Sequence, residues 1–251
     1  MNYYIITGTS RGLGESFARQ LLQEGNALFC ISRTRNEGLM DQAREKGIFL
    51  EYLTYDLEDT AGINGLVKRV KGAVDTATAT RMALINNAGT VAPVQPVGRS
   101  SSAAVRAALH INLAAPMLLT SAFIEYTADL PVDRRILNIS SGAARNPYVG
   151  WGAYCTTKAG LDMFTRCVGL EQKNMANPVK IIAVAPGIVD TAMQESIRNT
   201  AEEDFPNRNR FIALHEKGLL TSPDAAAENI LRLFLSEEIE TGGIYDIRHV
   251  P

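Results

Sequence analysis

Seven short apolar runs, separated by longer stretches of helical pattern, constrain this chain more than any other feature. The runs are Tyr3–Thr7, Ala27–Ser32, Ile48–Tyr55, Met82–Asn86, Arg135–Ser140, Val179–Ala185 and a final short one at Gly243–Ile247. The first six carry Ile, Leu, Val and Phe without strict polar alternation, as expected of strands covered on both faces. Between them the pattern predicts helices at about 12–24, 37–46, 60–78, 100–128 and 152–173, and a last one near 223–235. Gly25 follows the first helix and Ser222-Pro223-Asp224 opens the last, which is ordinary helix punctuation. Strand–helix–strand repetition of this kind predicts an α/β fold, a doubly wound parallel sheet with helices on both faces. No repeat, low-complexity tract or linker divides the chain, so residues 1–251 read as one domain.

Composition narrows the function classes. With 251 residues the chain is long enough to bury a full core, and 46% hydrophobic against 21% charged residues argues against disorder. A net charge of −2 gives no electrostatic footprint for nucleic acid or an anionic membrane. Met1 runs straight into the first apolar stretch, unlike a signal peptide, and no apolar stretch approaches the roughly 20 residues of a membrane span. Cys30, Cys155 and Cys167, with His110, His215 and His249, show no metal-ligand spacing, so no metal site is expected. Reduced thiols in a cytoplasmic protein are the simplest account.

The segment Thr7-Gly8-Thr9-Ser10-Arg11-Gly12-Leu13-Gly14 closes the first strand and opens the first helix. Glycines permit the tight turn and let backbone approach a pyrophosphate, which the positive end of the helix dipole favours. The spacing is G-x-x-x-G-x-G, and glycines at such a turn also occur for steric reasons alone. Their place after the first strand of a βαβ unit favours a dinucleotide cradle in a Rossmann-type fold. Ile6, Gly8, Ser10, Arg11, Gly12, Leu13 and Gly14 are its candidate cofactor residues.

Adenosine ribose belongs at the end of the second strand, where an acidic residue suits the free 2′-hydroxyl and arginine suits a 2′-phosphate. Here the strand ends Cys30-Ile31-Ser32-Arg33-Thr34-Arg35, with no carboxylate before Glu37. The missing acid and two separately placed arginines, Arg33 and Arg11 from the glycine turn, point to NADP(H) over NAD, since guanidinium offers phosphate a fixed charge and a planar fork of donors; Ser32 is a further cofactor candidate. Asn86-Asn87-Ala88-Gly89 ends the fourth strand at the edge where such sheets bind ligands, so Asn87, Ala88 and Gly89 are cofactor candidates. Asp56 and Leu57, after the third strand, are candidates for the adenine.

Ser141 precedes Tyr154 by thirteen residues, and Lys158 lies four beyond Tyr154, on the same face of a helix. A free phenol has a pKa of about 10, too high for efficient proton transfer near neutrality, and a neighbouring ammonium is expected to pull it down. Ser141, at the end of the fifth strand, is placed to hydrogen-bond a substrate carbonyl. Tyr-x-x-x-Lys alone is a common accident; its conjunction with the serine and the upstream cradle is not. Cys155, beside Tyr154, reads as a small buried residue rather than a reactive thiol.

In order and spacing, Thr7–Gly14, Asn86–Gly89, Asn112, Ser141, Tyr154, Lys158 and Pro186-Gly187 resemble the short-chain dehydrogenases/reductases over nearly the whole chain. The resemblance implies that Asn112 holds a water of the proton relay through Lys158. It also implies that Pro186, Gly187, Val189 and Thr191 meet the nicotinamide carboxamide and phosphates, and that Tyr154 and Lys158 touch the cofactor too. Ser140–Arg166 is most similar to the bacterial benzil reductases that form (S)-benzoin, a group similar to sepiapterin reductases. The ending Gly243-Ile244-Tyr245-Asp246-Ile247 fits that group but departs from the broader family.

An NADPH-dependent carbonyl reductase for a small-molecule aromatic 1,2-diketone is the function this implies. Ser141, Ala143, Tyr148, Trp151 and Met193, together with Phe205 from the loop Ile188 to about Leu214, are its candidate substrate contacts. A ketoreductase for sepiapterin or a 3-oxoacyl carrier substrate, and a non-catalytic NADPH sensor, are the alternatives; the sensor reading fits poorly with an intact Ser–Tyr–Lys set. Met163, Phe164, Val168 and Leu170 either pack on a sister subunit, as a homodimer or homotetramer, or on the sheet.

Overall fold

The computed structural model describes residues 1–250; Pro251, the last residue of the expected domain, lies outside them. Seven strands form where the apolar runs lie: β1 Asn2–Thr7, β2 Asn26–Ser32, β3 Phe49–Thr54, β4 Arg81–Asn86, β5 Asp133–Ile139, β6 Lys180–Ala185 and β7 Gly243–Asp246. They pair in parallel in the order β3-β2-β1-β4-β5-β6-β7. Strand order reverses between β1 and β4, which opens a crevice at the carboxyl edge where a doubly wound sheet binds its ligand.

Nine α-helices connect the strands among the described residues: α1 Gly12–Leu21, α2 Glu37–Glu45, α3 Ile63–Ala73, α4 Ser102–Leu109, α5 Ala115–Thr127, α6 Gly152–Gln172, α7 Ala192–Arg198, α8 Arg208–Glu216 and α9 Pro223–Leu235. Strand side chains point alternately to the two faces, and each face is apolar. Tyr4, Ile6, Leu28, Cys30, Ile85, Leu137 and Val184 pack with Phe17 of α1 and Ile230 and Phe234 of α9. Tyr3, Ile5, Phe29, Leu84 and Ile136 pack on the other face with Leu66 of α3 and Leu119 and Phe123 of α5. This double coverage explains the absence of polar alternation in the strands.

Three helix expectations change. The helix expected at 60–78 is α3 alone; beyond it the Asp75 side chain accepts from Ala77 N and Thr78 Oγ1, making a local turn that competes with the helix. The loop from Ile188 to about Leu214 holds α7 and most of α8, which have no long apolar stripe to announce them. The helix expected at 100–128 is continuous but carries a π-helical turn at His110–Ala114 between α4 and α5. Pro116 has no N–H to give to the carbonyl four residues back, which is that of Asn112.

That same stretch corrects the membrane expectation. Ser102–Thr127 is one helix long and apolar enough, by length and composition, to cross a membrane. Ala115, Leu119 and Phe123 on it are buried against the sheet, as in a core helix. Of the four apolar residues expected to pack on a sister subunit or on the sheet, Val168 is buried and Phe164 packs against the core, whereas Met163 and Leu170 are exposed.

Candidate active site

Residues at the carboxyl edge of the sheet line a large open cleft of about 1560 Å³. Its floor is the turn from β1 into α1, where Gly8 and Gly12 adopt φ values of +75° and +63°, a left-handed region that favours glycine. Gly14 is needed for a different reason: a Cβ there would lie 2.2 Å from the Gly8 carbonyl oxygen and 2.5 Å from Asn87 Nδ2. Arg11, at the N-cap of α1, makes no side-chain cap hydrogen bond, so the first N–H groups of the helix remain available to an anion. Asn87 locks the turn from β4, its Nδ2 donating to the carbonyls of Thr7 and Gly8 at 3.0 and 3.3 Å. These features fit a pyrophosphate.

Arg11 and Arg33 both line the cleft and are exposed, and among the described residues neither has a carboxylate within salt-bridge distance. Asn36 caps α2 by accepting from Leu39 N and donates its own Nδ2 to the Ser10 carbonyl, tying the β2–α2 loop to the glycine turn. The two arginines are thereby held on one wall, and their free fork donors fit a phosphorylated ribose. Ser32 lines the cleft, but its hydroxyl is engaged by Tyr52 at 2.7 Å and by the Thr34 carbonyl at 2.8 Å. Asp56, Leu57, Ala88, Gly89, Pro186, Gly187, Val189 and Thr191 also line the cleft, as do Ser10, Leu13 and Gly14. Ile6 does not: it is fully buried in the core on the α1 face of the sheet, since the residue two before Gly8 points away from the turn.

At the other end stand Ser141, Tyr154 and Lys158, all in the cleft wall. Ser141 begins a 3₁₀ turn, Gly142–Ala144, and its Oγ accepts from Ala143 N at 3.2 Å. Tyr154 and Lys158 share the inner face of α6, with Lys158 Nζ 5.9 Å from the phenol ring centroid. Lys158 is only 4% exposed and donates from Nζ to the Ile139 carbonyl at 2.8 Å. Burial pulls its ammonium down to about 8, while the Asp162 carboxylate opposes that. The Tyr154 phenol is pushed up by burial, with the Ser141 hydroxyl acting the other way. Dehydration of the phenol therefore outweighs the expected effect of the lysine, whose ammonium is turned toward the strand carbonyl.

Asn112 lies outside the cleft lining. Its Oδ1 accepts from Thr90 N at 2.8 Å, and its Nδ2 donates to the Thr90 carbonyl at 2.8 Å and to Thr157 Oγ1 at 3.2 Å. The side chain thus holds the β4 loop against α6, and Pro116 leaves the Asn112 carbonyl without its ordinary helical donor.

The cleft wall beside Tyr154 is an aromatic cluster. Ala143, Tyr148, Trp151 and Met193 line the cleft. Trp151 packs edge-on to Tyr154 with centroids 5.4 Å apart, and its buried indole N–H has no hydrogen-bond partner among the described residues. Phe205, expected to face the substrate, instead stacks behind Trp151 at 4.6 Å and is fully buried. Cys155 is half-buried rather than buried, because its side chain turns toward the Asn146 carbonyl; burial still pushes its thiol up.

Sequence reasoning missed several residues here. Asp162 is one turn beyond Lys158 and 4% exposed, and it accepts from Ser140 Oγ. Its i+4 spacing from Lys158 was legible, though not its burial. Val91, Ile197 and Phe211 complete the apolar wall, and Arg248 reaches the cleft from the far end of the chain. Nothing local announces those four.

The family described as short chain dehydrogenase matches residues 2–202. A benzil reductase ((S)-benzoin forming) of Bacillus cereus is 48% identical over 247 residues, covering 98% of this chain and 99% of that protein. A sepiapterin reductase of Meriones unguiculatus is 31% identical, covering 96% of this chain and 94% of its own. The crystal structure of the KRED1-Pglu enzyme superposes with a TM-score of 0.84 at 26% identity, covering 97% of this chain and 100% of that one.

Proposed function

The chain belongs to the short-chain dehydrogenase family, oxidoreductases acting on carbonyl and CH–OH groups, and within it we propose an NADPH-dependent reductase of aromatic 1,2-diketones, of the benzil to (S)-benzoin type. One observation carries this reading: Ser141, Tyr154 and Lys158 meet in the same cleft as the glycine turn. Arg11 and Arg33 would hold the ribose phosphate, and the N-terminus of α1 the pyrophosphate. When bound, NADPH supplies the hydride that reduces the carbonyl carbon.

The protein's own work is proton delivery and positioning. Ser141 donates a hydrogen bond to the carbonyl oxygen and fixes it beside Tyr154. Tyr154, held protonated by burial, gives its phenolic proton to the oxygen as negative charge develops there. Lys158 keeps a positive charge one turn away below about pH 8, which favours the phenolate left behind. Ala143, Tyr148, Trp151 and Met193 offer flat apolar surface to an aryl group. Residues 1–251 act as one reductase domain in the cytoplasm, and exposed Met163 and Leu170 suit pairing as a homodimer or homotetramer.

The test is NADPH and NADH oxidation followed with benzil, a monoketone and sepiapterin. Benzil should turn over fastest, and with NADPH. The Tyr154→Phe variant should lose about 10²–10⁴-fold in kcat. Full activity in that variant, or equal rates with NADH, would sink the corresponding part of the proposal.

A further inference from the structure

The C-terminal segment is the part of the cleft that the reduction chemistry leaves without a role. Asp246 ends β7 beside Ala185 of β6, immediately before Pro186-Gly187. Its carboxylate is 6% exposed and serves two guanidinium groups. Arg248 grips it with both edges of the fork, Nε to Oδ1 at 2.8 Å and Nη2 to Oδ2 at 2.6 Å, and its own backbone N–H adds a third bond at 3.2 Å. Arg145, from the turn that Ser141 opens, reaches the same Oδ2 from the other side at 3.3 Å. One negative charge therefore faces two positive ones.

Arg248 is more than a staple for the chain end. It lines the cleft, and 55% of its side chain stays exposed despite the bidentate pair. Its Cγ and Cδ pass 3.5 Å from where a Gly187 Cβ would lie, so the stem runs along the Pro186-Gly187 corner. Tyr148 is close enough to bear on its charge, and Tyr148 packs on Trp151 at 4.9 Å, which packs on Tyr154. The guanidinium is thus tied to the Pro186-Gly187 corner and, through Tyr148, to the Trp151 wall of the cleft. A guanidinium held rigid by a buried carboxylate loses little freedom on meeting an oxygen acceptor, and it stays charged at every working pH.

We infer that Arg248, braced by Asp246, receives a second oxygen acceptor of the substrate and so selects carbonyl compounds that carry one beside the reacting group, 1,2-diketones or 2-oxo acids, over monoketones. The inference rests on the reductase reading above and adds a residue to it.

Trp151 is the chain's one tryptophan and lines the cleft, so its fluorescence reports binding without turnover. Benzil, phenylglyoxylate and deoxybenzoin are titrated into wild-type protein and Arg248→Met in excess NADP⁺. Deoxybenzoin matches benzil in its two rings and lacks only the second oxygen. The variant should weaken benzil and phenylglyoxylate about tenfold more than deoxybenzoin, the effect expected of a hydrogen bond to a charged group. A loss confined to phenylglyoxylate would restrict the acceptor to a carboxylate and overturn the diketone half. The R248M/D246N double variant leaves no uncompensated buried carboxylate and should give the same ratio. Equal weakening of all three, or of none, in both variants overturns the inference. Failure of wild-type protein to oxidise NADPH with any of these carbonyls would instead overturn the reductase reading, and the binding ratio would still decide the role of Arg248.

Discussion

Ser140 Oγ donates a 2.5 Å hydrogen bond to Asp162 Oδ1, joining the end of β5 to α6 directly behind the Ser141–Tyr154–Lys158 group. The carboxylate is the group that opposes the fall in the Lys158 pKa caused by burial, and it is itself pushed up by burial while Ser140, Arg145, Arg166 and Lys158 hold it down. A buried carboxylate near a buried ammonium shifts the position of its titration.

Asp162→Asn keeps the shape and removes the charge. Lys158 should then lose its proton more easily, and the alkaline limb of the kcat profile should move to lower pH by about 1 unit. A kcat profile over pH 6–10 checks this, and an unmoved limb would show that Asp162 only props the helix.

Lys158→Met should stabilise the fold and stop the reaction. The folded pKa of about 8 lies below the ordinary 10.5, so the unfolded chain holds this proton more tightly. Keeping Lys158 charged in the folded state thus costs stability below pH 8, and the cost fades as pH rises to 10.5. At pH 7 the variant should gain about 1–3 kcal/mol in urea unfolding, less what is lost with the Ile139 hydrogen bond and with the positive neighbour of the buried Asp162 carboxylate, and lose at least about 100-fold in kcat.

Gly14→Ala sets helix propensity against contact. Alanine in a helix is worth about 1 kcal/mol over glycine, but its Cβ would sit 2.2 Å from the Gly8 carbonyl oxygen, and backbone must move at a cost of about 1–3 kcal/mol or more. Contact should win, with a melting temperature lowered by roughly 2–8 °C and weakened nucleotide binding. Differential scanning calorimetry measures the first, and an unchanged or raised melting temperature would contradict the packing.

Arg33→Ser should raise KM for NADPH by about tenfold or more and leave KM for NADH within about twofold, because only the 2′-phosphate needs the guanidinium. Initial rates with both nucleotides decide it. Parallel losses would assign Arg33 a structural role instead.

The helix boundaries show where local reading stops. The helical pattern at 100–128 contains the π turn at His110–Ala114 without showing it, because the turn arises from a missing N–H at Pro116, four residues after the carbonyl it affects. Between Arg106 and Glu125 the helix Ser102–Thr127 carries no Asp, Glu, Lys or Arg, but His110, Asn112, Thr120 and Ser121 break it up as an apolar run. Ile6 is near Gly8 in sequence, but strand alternation turns its side chain into the core.

By itself the sequence determined the parallel sheet, the glycine turn and the Ser141–Tyr154–Lys158 set. Each of these follows from short-range rules: apolar runs covered on both faces, left-handed glycines, and a four-residue spacing that puts two side chains on one helical face. Only tertiary structure decided which way the electrostatics of the set run. Burial of Lys158 and Tyr154, the Ser140–Asp162 bond, and the pairing of Arg145 and Arg248 on Asp246 join residues up to 101 positions apart. Such pairings depend on which strand ends become neighbours at the sheet edge, and dehydration there sets pKa values that no spacing along the chain encodes.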